Sequence, residues 1–93
     1  MEQDNINWFK IEVNKFSEGT YTYVGCSSLS LEAVIAKLQA GDYIRLDNLL
    51  YWDRGIIKEW SQWDKSVVPT VYINPLAVLD VMQFIRDPRL TEH

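Results

Sequence analysis

The stretch Asp42-Tyr43-Ile44-Arg45-Leu46-Asp47-Asn48-Leu49-Leu50-Tyr51-Trp52 decides the fold class of this chain. Ile44, Leu46, Leu50 and Trp52 alternate with Tyr43, Arg45, Asp47 and Tyr51, the period-two pattern of a strand with one buried face. It is expected to be the central strand of a sheet. Asn48 falls on the apolar face, where a buried amide must find partners. A bulge at which its side chain satisfies a backbone group is expected there, rather than a side chain aimed into a pocket.

Working outward, Asp53-Arg54-Gly55 turns the chain and Ile56 to Trp63 returns as the second arm of a hairpin. Its register decides which face each aromatic takes, because a one-residue slip exchanges the two faces. Before the central strand, Ser30 is placed to cap a helix over residues 31–40, with Glu32 in its first turn and Leu29 with Val34 forming a staple across the cap. Leu31, Val34, Ile35 and Leu38 make its apolar face, and Gly41 stands at the C′ position. Earlier still, Phe9, Ile11 and Val13 alternate with Lys10, Glu12 and Asn14. The turn Ser17-Glu18-Gly19 then leads into Thr20-Tyr21-Thr22-Tyr23-Val24, so the pair reads as a hairpin.

After Pro69, Val71-Tyr72-Ile73 reads as a short strand. Asn74 followed by Pro75 is a helix start, and Val78, Val81, Met82 and Ile85 share one helical face, so periodicity favours helix up to Asp87-Pro88. Val78, Val81, Phe84 and Ile85 also suit a strand. The Ile73-Asn74-Pro75 step, followed by a tight turn and a returning strand, resembles a feature of several small Sm-like or SH3-like barrels. That resemblance implies, as an alternative, a small barrel with an inserted helix. The expected fold is one α+β domain over residues 1–93: a mostly antiparallel, curved sheet of about five strands with a helix at 31–40, then a second helix, or a helical turn plus strand, after Asn74.

Composition narrows the function classes. The 93 residues are 47% apolar with a formal charge of −4. Nine basic residues against thirteen acidic ones, with no basic run, disfavour nucleic acid, which is held largely by Lys and Arg on phosphates. A basic face is still conceivable from Lys10, Lys15, Arg45 and Lys58. Cys26 is the single cysteine, so no intrachain disulfide is expected. The polar segment Met1 to Asn5 lacks the apolar core of a signal peptide, and no stretch has the apolar length of a membrane span. Cytoplasmic residence follows as the expectation.

Catalysis is poorly provided for. Cys26 in an apolar run reads as a small buried hydrophobe, and the one histidine, His93, is the last residue. No metal-ligand spacing and no phosphate-binding glycine cluster are present, so neither metal nor cofactor is expected. The carboxylates Asp47, Asp53, Glu59 and Asp64 near the aromatic hairpin leave a small carboxylate enzyme as a third reading.

Three of the four tryptophans, Trp52, Trp60 and Trp63, fall within twelve residues beside Tyr51. Trp52 continues the apolar face and is expected in the core. Trp60 and Trp63 differ in strand parity, so an uninterrupted strand cannot bury both on one face. The expected function is therefore a non-catalytic binding or assembly module whose site comprises Tyr51, Trp60, Trp63 and Lys58, meeting a protein partner or a second copy. A nucleic-acid-associated small barrel that stacks bases on Tyr43, Tyr51 and Trp60 is the runner-up.

Overall fold

The computed structural model of the chain describes residues 6–53, 56–59, 66 and 68–90, with the side chains of Trp52, Asp53 and Ile56 excepted. Among the described residues the fold is α+β, with six antiparallel strands in one open sheet and a single α-helix. Strands β1 (Asn7–Asn14) and β2 (Thr20–Ser27) form the first hairpin, with Trp8 opposite Cys26 and Asn14 opposite Thr20. The turn glycine, Gly19, takes the left-handed φ of 85° that its position requires. Helix α1 (Leu31–Gln39) leads to β3 (Ile44–Asp53). One edge of β3 pairs with β2, and the other is shared: Leu50 to Asp53 pair with β4 (Ile56–Glu59), and Ile44 to Asp47 with β5 (Thr70–Ile73). The last strand, β6 (Val78–Gln83), pairs with the outer edge of β1. With three partner strands, β3 organises the sheet as its pattern predicts.

Local signals account for α1. The Ser30 hydroxyl accepts from the Ala33 N–H at 3.1 Å. At the other end Gly41, at φ 81°, donates to the Leu38 carbonyl and Asp42 to the Lys37 carbonyl, a Schellman ending. Val34 is fully buried, Leu38 and Leu29 pack beside it, and Leu31 and Ile35 remain exposed, so the buried stripe is narrower than the sequence pattern.

Bulges overturn two expectations. Asn48 sits at φ 52°, and the β2–β3 register shifts there, with Cys26 opposite Asp47 but Val24 opposite Leu50. As a result Leu49 joins Ile44 and Leu46 in the main core, and Leu50 turns to the opposite face, against Trp8, Val24 and Cys26. The bulge is present as predicted. Asn48 itself is exposed, however, and its amide donates to the Cys26 Sγ at 3.2 Å rather than to a backbone group. The expected core placement of Trp52 lies outside the described side chains.

The second bulge decides the segment after Asn74 for the helical turn plus strand, against the helix that periodicity favoured. The Asn74 carboxamide does cap a turn, accepting from the Leu76 N–H at 2.9 Å, but that turn is three residues of 3-10 helix, Pro75–Ala77. β6 then begins. Glu12 pairs with Asp80 and Val13 with Val78, so Leu79 is the extra residue. Val78 and Val81 thereby reach the same core face although three apart, the spacing that mimics a helix. The barrel alternative shares the turn between β5 and β6 but not the closure, since the sheet ends at β4 and β6 among the described residues.

Main-core side chains come from β1, α1, β3 and β5: Phe9, Ile11, Val13, Val34, Ile44, Leu46, Leu49 and Ile73. Gly25 faces this cluster, where a Cβ would lie 3.0 Å from the Asp47 carbonyl, Leu46 Cβ and Leu49 Cδ2. The opposite face is covered by the segment after β6. Phe84 donates its N–H to the Trp8 carbonyl, Pro88 is buried, and the Arg89 guanidinium lies 4.7 Å from the Trp8 ring while bonding Asp87 and Glu59. Hydrogen bonds from Arg89 hold the Asp87 carboxyl below its ordinary range. A carboxyl depressed in this way stabilises the fold fully above the ordinary Asp range, and the stabilisation fades as pH falls through the lowered value. Arg89→Met should remove that acid-range loss, at most about 1 kcal/mol for so accessible a pair, in denaturation curves recorded between pH 5 and 2.

Candidate functional site

Of the four residues expected to form the site, Tyr51 and Lys58 are described, whereas Trp60 and Trp63 lie outside the described residues. Tyr51 on β3 stands directly opposite Lys58 on β4. The bulge at Asn48 carries Tyr51 to the side of the sheet where Tyr21 and Tyr23 lie. The rings of those two tyrosines meet edge-on, 4.9 Å apart. Lys15 spans them, its Nζ 5.2 Å from the Tyr21 centroid and 5.7 Å from that of Tyr23. Burial raises the Tyr21 phenol above its ordinary value, and the neighbouring Tyr23 and Tyr51 phenols add to the effect. Among the described residues Lys15 makes no ion pair, and its ammonium lies over two ring faces. The three lysines and one arginine considered for one basic face are divided. Lys10 faces the side of Trp8 and Val24, and Lys15 and Lys58 face the tyrosines.

Beside Lys15 the β1–β2 loop and β5 enclose a groove of about 340 Å³. Val13, Tyr23, Val71, Ile73 and Ala77 make its apolar floor, and Lys15, Phe16, Glu18, Tyr72 and Asn74 its rim. Phe16 is the residue that sequence reasoning missed. It is 78% exposed and its backbone has φ 56°. Its N–H donates to the Asn14 side chain at 2.7 Å, and the loop closes through Lys15 N–H to the Gly19 carbonyl at 2.7 Å. The available signal was a large aromatic placed where a polar turn residue belongs.

A second, polar concavity of about 500 Å³ lies near Lys37, Tyr43, Arg45, Asp47 and Tyr72. Its cations are already partnered. Arg45 donates Nε to Asp47 at 2.9 Å with its guanidinium 5.8 Å from the Tyr72 ring, and Lys37 lies 3.9 Å from Asp42. The carboxylates considered for catalysis do not converge among the described residues. Asp47 is held by Arg45 and the Thr70 hydroxyl, Glu59 is held by Arg89, and Asp64 and the Asp53 side chain lie outside the description. Burial pushes the Cys26 thiol up, with the Asn48 hydrogen bond opposing it. Among the described residues no group of three or more His, Cys, Asp or Glu side chains is arranged to hold a metal ion.

The chain matches no protein-family model, no curated protein and no solved structure significantly. Its site is therefore read from its own geometry. Among the described residues no helix is long and apolar enough to cross a membrane.

Proposed function

We propose that this chain is a non-catalytic binding module that captures a protein partner through the groove between the β1–β2 loop and β5, with the Tyr51–Lys58 pair of the aromatic hairpin extending the same surface. One observation carries the reading. Phe16 is held in left-handed backbone at φ 56° with 78% of its surface in solvent. A non-glycine residue in that conformation costs on the order of 1–3 kcal/mol, and exposing a phenyl ring recovers none of it by burial. Phe16 works against stability on both counts, and the property it offers is aromatic contact area at the lip of an apolar groove. Lys15 and Tyr72 on the rim supply the polar surround of a binding patch.

A specific observation favours a second reading, nucleic-acid association, because Arg45 lies over the exposed ring of Tyr72 near the exposed Tyr43. It ranks lower. Arg45 is already bound to Asp47, Lys37 lies beside Asp42, and the chain carries a net charge of −4. A reducing, cytoplasmic setting is part of the proposal and is supported by Cys26, a buried free thiol.

Phe16→Gly separates binding from folding. Glycine tolerates the loop conformation, so the variant should be as stable as wild type or more stable by up to about 1 kcal/mol in urea denaturation. It should lose a captured partner by roughly tenfold or more in affinity. Full retention of the partner by Phe16→Gly would sink the proposal. Fluorescence anisotropy with duplex DNA and unstructured RNA should give affinities no tighter than about 10⁻⁴ M at physiological salt, and micromolar binding with a steep salt slope would promote the second reading.

A further inference from the structure

β6 ends the sheet among the described residues, and a strand in that position offers backbone N–H and C=O groups that another strand can satisfy. Its side chains do not discourage this. Leu79 and Met82 are 53% and 55% exposed, Leu76 before it and Ile85 after it are almost wholly exposed, and Asp80 is its one charge. We infer that β6 pairs antiparallel with β6 of a second copy, about a two-fold axis through Val81.

Charge selects both the occupant and the register. On the face opposite the main core, Glu12 stands opposite Asp80 and Lys10 opposite Met82. Two carboxylates directly across a strand pair repel. A two-fold that keeps the sheet faces continuous must pass through a residue of β6, because facing positions then share parity. Centring on Asp80 would set that carboxylate against its own copy. Centring on Met82 would put Met82 against Met82 with both Lys10 residues in one row and all the acids outside it. With Val81 at the centre, Asp80 faces Met82 of the other copy, and each cross-sheet row reads Glu12, Asp80, Met82, Lys10. The acidic pair of one copy and the lysine of the other then share a row, with Met82 covered between them, and the arrangement occurs twice. The chain is thus complementary to itself in this register.

Sedimentation velocity of the purified chain should show dimer with a dissociation constant of roughly 10⁻⁵ M, as fits a small interface. Met82→Asp, which sets a carboxylate against Asp80 of the other copy, should weaken association tenfold or more. Facing residues of an antiparallel pair lie roughly 4.5–5.5 Å apart, within disulfide reach, whereas Asp80 to Asp80 and Met82 to Met82 lie beyond it in this register. The double variant D80C/M82C should therefore cross-link into a covalent dimer under mild oxidation, and D80C or M82C alone should not; Cys26 is buried and does not compete. A monomer at about 100 µM, unaltered association of Met82→Asp, failure of the double variant to cross-link, or cross-linking by either single variant would each overturn the inference.

Discussion

Gly25→Ala is expected to destabilise the fold by about 2–3 kcal/mol although it adds a single methyl group. The new Cβ would stand 3.0 Å from a backbone oxygen, the Leu46 Cβ and the Leu49 Cδ2. Two of those atoms belong to or adjoin the β3 backbone, so no rotamer change relieves the contact. β2 and β3 would have to separate where the bulge at Asn48 draws them together. Urea denaturation with an unchanged slope and a lower midpoint is the expected record. A loss within experimental error would mean that this approach is loose and that the two-sided burial of β3 does not depend on it.

Phe9→Ala is expected to cost more, about 3–5 kcal/mol. Phe9 is fully buried, its backbone pairs with both Gly25 and Gln83, and its ring lies in the cluster formed with Val34, Leu46 and Ile73. Removing the ring leaves a cavity bounded by strands already fixed by pairing on both edges of β1, which limits collapse into it. For a domain of this size, that loss approaches the whole stability, so a broad or absent thermal transition is the expected readout. A cost below about 1 kcal/mol would place the centre of the core elsewhere.

Much of the fold was legible because short-range rules govern much of it. The alternation of β1, the cap at Ser30, the Schellman ending at Gly41 and the turn at Gly19 are each decided within a few residues. The bulges were harder to read. At Leu79 one extra residue converts a period of two into a spacing of three, so Val78 and Val81 imitate a helical face, and the choice is made by Ile11 and Val13 on a strand some seventy residues away in sequence. At Asn48 the bulge was foreseeable from a polar residue on an apolar face, but its effect, sending Leu49 and Leu50 to opposite cores, was not. The site divides in the same way. Tyr51 and Lys58 were found because aromatic crowding is visible in one dimension, whereas Phe16 acquires meaning only once β5 closes a groove beside it.

The position of β1 between β2 and β6 bears on the order in which the chain can fold during synthesis. Phe9 and Ile11 are made some seventy residues before the strand that completes their second edge, which is the last of the six described strands. Until residues 78–83 emerge, the first hairpin carries a bare edge and a half-built core. A nascent chain stalled before Val78 should therefore remain sensitive to proteases and available to chaperones, and folding of this sheet should come as one event after residues 78–83 are released.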